Sequence, residues 1–116
     1  MPNSHSLKIQ VEYTSEFKRN IRQLSKKYRH IKSDVQPIIN ALESGETPGK
    51  IIRGIRHNVF KVRAKSTDIH KGKRSGFRLI YYLKTRSNVI LLTIYSKSEQ
   101  GDISAERISV IINRND

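Results

Sequence analysis

The sequence contains no cysteine, which excludes disulfide bonds and thiolate chemistry. It has no apolar run that approaches the length of a membrane span, and residues 1–6 lack the apolar core of a signal peptide. We therefore expect a cytoplasmic protein with no membrane partner, in which residues 1–6 form a mobile leader. The four histidines have no metal-ligand spacing, so we expect neither a metal nor a cofactor.

The chain also has little negative charge where its positive charge is densest. Residues 50–86 hold twelve lysines and arginines but a single acid, Asp68, so this segment carries +11 of the net charge of +13. Cations concentrated in this way are the electrostatic footprint of a protein that binds a polyanion. A pI near 10.4 points to nucleic acid or the ribosome, or to an acidic protein that masks the charge.

The 116 residues suffice for one hydrophobic core, and we predict a single domain over residues 1–116. Period-two alternation predicts strands, and apolar residues at helical spacing predict helices. Strands are expected at residues 7–13, 59–66, 77–84 and 89–94, and helices at 17–28, 33–45 and 103–113. The order β-α-α-β-β-β-α predicts an α+β fold: an antiparallel sheet with an N-terminal helical hairpin and a short C-terminal helix.

The helix starts carry recognisable capping residues. Thr14 or Ser15 is the expected cap of the first helix, and Asp102 or Ser104 that of the last. Residues 33–36 match a capping box, which starts the second helix there and places a proline in its first turn.

Cations alternate along the predicted strand at residues 59–66, so the period of two places them on one face of the sheet. The next two strands add side chains to this face if all three pair. The residues expected there are Lys61, Arg63, Lys65, Arg78, Tyr82, Tyr95 and Lys97. A charge run is usually a solvated strand face, but such a face normally mixes signs, and here no acid is expected beside the cations. We therefore interpret it as a polyanion-binding surface.

A basic loop at residues 70–76 lies between two of these strands. Its Lys71, Lys73 and Arg74 are candidates for tracking a phosphate backbone, and a flexible, solubilising hairpin loop is the alternative. The loop matches no Walker or dinucleotide fingerprint.

Three segments resemble the RelE/HigB superfamily of type II toxins: FKVR at residues 60–63, KGKRSGFRLIYY at 71–82 and LLTIYSKSE at 91–99. The HigB-like branch matches best, since its members carry a similar Gly-Lys-Arg-x-Gly-x-Arg-x-Ile-Tyr-Tyr run and a Tyr-x-Lys-x-Glu segment. The resemblance implies the RelE-like fold, a ribosome-associated mRNA endonuclease activity that inhibits translation, and a small antitoxin as the cognate partner.

The same resemblance implies roles for individual residues. It implies catalytic roles for Lys61, Arg63, Arg78 and Lys97. Arg78 would contact the scissile phosphate. Ser98 stands where the RelE branch has an arginine, and Ser104 lies near the position of its tyrosine that activates the attacking hydroxyl. The identity of the general base is therefore open.

RNA can be cleaved without a metal when its own 2′-hydroxyl attacks the adjacent phosphate. The protein must then accept a proton and stabilise extra negative charge on the phosphate. Arg63 and Arg78 suit the second task, because a guanidinium presents paired donors to phosphate oxygens. Lys61 and Lys97 are the candidates for general base or acid.

Three further residues have less specific signals. Tyr82 and Tyr95 are candidates for stacking on a base or contacting a phosphate, or are ordinary strand aromatics. Glu99 is the one acid expected near the cations, and we interpret it as a capping or surface residue rather than a base.

Two alternative functions remain open. A ParE-like toxin shares the fold and inhibits DNA gyrase without cleaving RNA, although the cations at positions 61, 63 and 78 favour the nuclease. A non-catalytic RNA- or ribosome-binding module would need a basic surface but no particular constellation of residues. For a toxin, the high positive charge predicts an acidic antitoxin that neutralises the basic face.

Overall fold

A computed structural model describes residues 8–68 and 76–115 of the chain. Its elements in chain order are β1 (Gln10–Tyr13), α1 (Ser15–Ser25), α2 (Ile31–Glu43), β2 (Lys50–Ile51), β3 (Val59–Ala64), β4 (Phe77–Thr85), β5 (Asn88–Ser96) and α3 (Ala105–Arg114). The predicted α+β class is confirmed. Within these ranges no helix is long and apolar enough to cross a membrane.

The five strands form one sheet in the order β1-β5-β4-β3-β2. β1 pairs with β5 in parallel, while the other neighbours are antiparallel. The expectation of a wholly antiparallel sheet is therefore wrong at β1, and the two-residue strand β2 was not predicted. Alternation assigns side chains to faces, but it does not specify the neighbour of a strand or its direction.

The helix α1 is capped by Thr14, one of the two predicted candidates. Its Oγ1 accepts a hydrogen bond from the Phe17 amide at 2.9 Å and donates to the Leu92 carbonyl at 2.7 Å. A single buried hydroxyl thus caps the helix and joins it to the interior strand β5.

The helix α2 begins at Ile31, two residues before the predicted capping box, so that prediction is wrong. Ile31 is fully buried in the core, and its burial favours the earlier start. The preceding residue, His30, has its amide satisfied by the Asp68 carboxylate at 2.8 Å. Ser33 turns back to donate to the His30 carbonyl, and Pro37 lies inside the helix instead of in its first turn.

Two apolar clusters cover the two faces of the sheet. The hairpin face, packed under α1 and α2, includes Phe77, Leu79 and Tyr81 of β4. The α3 face includes Ile80 and Tyr82 of the same strand, with isoleucines of α3 packed on it. The predicted packing of α3 against the fold is confirmed. The helix also buries Ile80 and Tyr82, so β4 is apolar on both faces along this part of its length.

The cover that α3 provides is incomplete. From β3, the cluster under α3 contains Val59, at the start of the strand. The later β3 residues on that side are Lys61 and Arg63. Lys61 is partly exposed, and Arg63 is exposed. One end of the α3 face therefore carries charged residues where the hairpin face is apolar.

Candidate functional site

A row of three side chains crosses the end of the α3 face. In the sheet register, Arg63 on β3 lies directly opposite Arg78 on β4, and Arg78 lies opposite Tyr95 on β5. Directly opposed residues share a face, with Cβ atoms about 5 Å apart, and like charges in such a pair are destabilising. An anion bound between the two guanidinium groups would offset this repulsion.

A second row adds two lysines beside the arginines. Lys61 follows period two from Arg63, and Lys50 on β2 lies opposite Lys61. The close approach of β2 requires Gly49, whose φ is 94° and whose added Cβ would lie 2.3 Å from the Lys61 carbonyl oxygen. Lys50 is thus a further cation of this face that the sequence analysis missed.

An acid lies among these cations, contrary to the expectation that none does. Asp102, in the segment between β5 and α3, accepts hydrogen bonds on one oxygen, Oδ1. The donors are Lys97 Nζ at 3.0 Å, Tyr95 Oη at 3.4 Å and Lys61 Nζ at 3.5 Å. The residue predicted as a possible helix cap is instead the centre of the site, and Ser104 caps α3 by accepting from the Arg107 amide.

Two groups of the site have shifted pKa values. The hydrogen bond from Lys97, followed by the charge of Lys61, lowers the pKa of the Asp102 carboxyl below its ordinary value. Burial raises the pKa of the Tyr95 hydroxyl, although the nearby Arg78 opposes this. At neutral pH the site therefore holds an ionised carboxylate and a protonated phenol.

The two tyrosines are buried, so neither presents an open ring face for a base to stack on. Tyr82 is 8% exposed under α3 and meets the edge of the His57 ring at 5.0 Å between centroids. Tyr95 is 5% exposed, and what it contributes to the site is its hydroxyl. Both rings belong to the cluster under α3.

Glu99 belongs to the opposite side of the sheet. It accepts a short hydrogen bond from the hydroxyl of the buried Tyr28, and it pairs with Lys27 Nζ at 3.2 Å. These contacts agree with the interpretation of Glu99 as a surface acid and place it away from the candidate site.

The residues on either side of the basic loop contact α2 and the site. Lys71, Lys73 and Arg74 lie outside the described residues. Before the loop, Lys65 is exposed just beyond the end of β3, and the Thr67 amide donates to Asp34 at 3.0 Å. After the loop, the Gly76 carbonyl accepts from the Lys97 amide at 2.9 Å. Hydrogen bonds thus link the residue before the loop to α2 and the residue after it to the site.

A second set of cations lies on the helical hairpin. The count of net charge did not reveal this set, because acids elsewhere in the chain offset its positive charge. Residues 17–33 contain no acid and seven exposed cations: Lys18, Arg19, Arg22, Lys26, Lys27, Arg29 and Lys32. These charges lie on the exposed sides of α1 and α2 and in the turn between them, as expected for a solvated surface. The α3 face is distinguished by the direct opposition of cations across strands, and not by charge alone.

A scan against models of known protein families finds no match to this chain. Among residues 8–68 and 76–115, no three histidine, cysteine or acidic side chains are grouped so that they could hold a metal ion. A functional proposal therefore depends on the geometry of the site and on the resemblance of three sequence segments to the RelE/HigB superfamily.

Proposed function

We propose that this chain is the toxin of a type II toxin–antitoxin system and an endoribonuclease that cleaves mRNA, with the ribosome as its place of action. One observation carries the proposal: Arg63 and Arg78 are opposed across two strands at the uncovered end of the α3 face. The sequence segments similar to the RelE/HigB superfamily contain both arginines and supply the substrate class.

In the proposed mechanism, the two guanidinium groups bind the oxygens of the scissile phosphate. They stabilise the negative charge that builds up when the 2′-hydroxyl attacks. Lys61 and Lys97 are the candidates for transferring protons to or from the attacking and leaving oxygens. Asp102 is a poor candidate for the base, because its lowered pKa makes it a weak proton acceptor.

The proposal includes an acidic antitoxin. Cations at this density repel one another, so a partner that brings carboxylates to the α3 face would stabilise the toxin while blocking the site. A small adjacent reading frame encoding an acidic protein is the corresponding genetic expectation.

The test is to express the protein and to map the 5′ ends of cellular mRNA. Arg78→Ala should reduce cleavage within translated regions by about 10²- to 10³-fold, the usual effect of removing one preorganised donor from a transition-state site. Arg22→Ala removes the same charge from the outer surface of α1 and should leave cleavage within about threefold.

Three outcomes separate the alternative functions. Intact mRNA together with blocked replication would replace the nuclease with a ParE-like gyrase inhibitor. Loss of RNA affinity in Arg78→Ala, with no cleavage by the wild-type protein, would leave a binding module. Equal loss of cleavage in both variants would show that total charge, and not the arginine pair, determines activity.

A further inference from the structure

The carboxylate of Asp102 lies at the cationic end of the α3 face. Two ammonium groups and a phenol converge on one oxygen, Oδ1, at 3.0 to 3.5 Å. Lysine ammonium and hydroxyl groups are also the donors that proteins present to phosphate oxygens. The three side chains thus form an oxyanion site, and a side chain of the protein fills it.

The Asp102 carboxylate is held by its three side-chain donors, and the next residue, Ile103, packs against the cluster under α3. The backbone of residues 100–104 belongs to neither a helix nor a strand. The Asp102 side chain is 58% exposed, whereas those of Lys61 and Lys97 are 35% and 31% exposed. The donors are therefore fixed on or beside the sheet, and the acceptor lies on a solvent-facing connection.

We propose that Asp102 occupies the place of a phosphate group in the site, as an internal carboxylate that an RNA phosphodiester displaces when it binds. This inference rests on the proposed RNA-binding role of the same face. It assigns Lys61, Lys97 and the Tyr95 hydroxyl to one phosphate oxygen subsite, next to the arginine pair.

The geometry favours displacement over a positioning role for Asp102. A residue that orients two catalytic lysines is itself normally held by further hydrogen bonds, because a site is positioned by a rigid supporting shell. The described contacts of the Asp102 carboxylate are those with the three donors. A carboxylate on a short connection competes at a millimolar effective concentration, so it weakens the binding of each incoming anion.

The experiment measures binding of a 2′-O-methylated, cleavage-resistant oligoribonucleotide, so that cleavage does not enter. Asp102→Asn keeps the shape of the side chain and should tighten binding about two- to fivefold, the range in which exposed ion pairs contribute. Glu43→Gln removes the same charge from the exposed end of α2 and should leave the affinity unchanged at about 0.1 M salt.

A double-mutant cycle with Lys97→Gln completes the test. If Asp102 competes for Lys97, the gain from Asp102→Asn should shrink in the Lys97→Gln background. Weaker or unchanged binding of Asp102→Asn, or an equal gain in Glu43→Gln, would overturn the inference. The two proposals can fail separately. If the wild-type chain binds the oligonucleotide and the cycle gives the expected result but no mRNA is cleaved, the nuclease proposal is wrong and the inference about Asp102 is supported.

Discussion

The two faces of the sheet are built from the same strands but differ in their helix cover and in the residues they present. The hairpin face is covered by α1 and α2, and its side chains from β4 are apolar at every described inward position along Phe77–Leu83. The α3 face has a single helix of ten residues and changes from apolar to charged along β3. The hairpin face thus consists of core residues along β4, and the α3 face combines a core with the candidate site.

The connection from β5 to α3 touches both faces. Glu99 reaches the hairpin face, where it meets Tyr28, and Asp102, three residues later, reaches the α3 face. Because the two acids flank the end of the sheet, substitutions at neighbouring positions can separate effects on stability from effects on the site.

The largest expected effects come from two adjacent residues of β4. Leu79 faces the hairpin and Ile80 faces α3, and both are fully buried. Leu79→Ala and Ile80→Ala should each lower the free energy of unfolding by about 2–5 kcal/mol, as measured by urea denaturation. Ile80 lies opposite Lys61, so Ile80→Ala alone should also change the RNA affinity of the folded fraction. Equal effects on affinity would show that the faces are not independent.

Smaller effects are expected from the two helix caps. Thr14→Ala removes a buried hydroxyl that bonds to both α1 and β5, and should lower the free energy of unfolding by about 1–2 kcal/mol. Ser104→Ala removes an exposed cap of α3 and should cost about 0.5–1 kcal/mol. Denaturation midpoints at constant m-value provide the comparison. A larger loss in Ser104→Ala would show that the exposed cap of α3 contributes more to stability than the buried Thr14 hydroxyl.

The smallest effect is the pH dependence due to Glu99. The hydrogen bond from Tyr28 lowers the pKa of the Glu99 carboxyl in the folded chain. Its stabilisation is therefore present above the pKa of the unfolded chain and is lost as the pH falls through the folded value. Thermal unfolding followed from about pH 5 to pH 3 should show a steeper loss for wild type than for Glu99→Gln. Parallel curves would mean that solvent screening removes the contribution.

Local patterns predict much of this fold. The caps at Thr14 and Ser104, the burial of β5 on both sides and the apolar stripe of α2 follow from spacing and residue type. The parallel pairing of β1 with β5 does not, because no local property of residues 10–13 encodes a partner that lies 78 positions later. The start of α2 was misplaced because the burial of Ile31 outweighs a local capping signal.

The cations of the site were predictable from the sequence, but the acid at its centre, Asp102, was not. Alternation places Lys61 and Arg63 on one face, and the register brings Arg78 to the same face, opposite Arg63. Asp102 lies 41 positions from Lys61, and no periodic pattern connects an irregular segment to a strand. Lys50 was missed because a two-residue strand is too short to show alternation.

The pairing of β1 with β5 also determines when the site can exist during synthesis. β1 is made early, yet the residues that pair with it are 88–91, and the Thr14 hydroxyl donates to residue 92. The Lys61, Arg78 and Asp102 side chains come together from three separate segments, the last of which follows β5. The site therefore cannot assemble on a nascent chain before Asp102 has been translated.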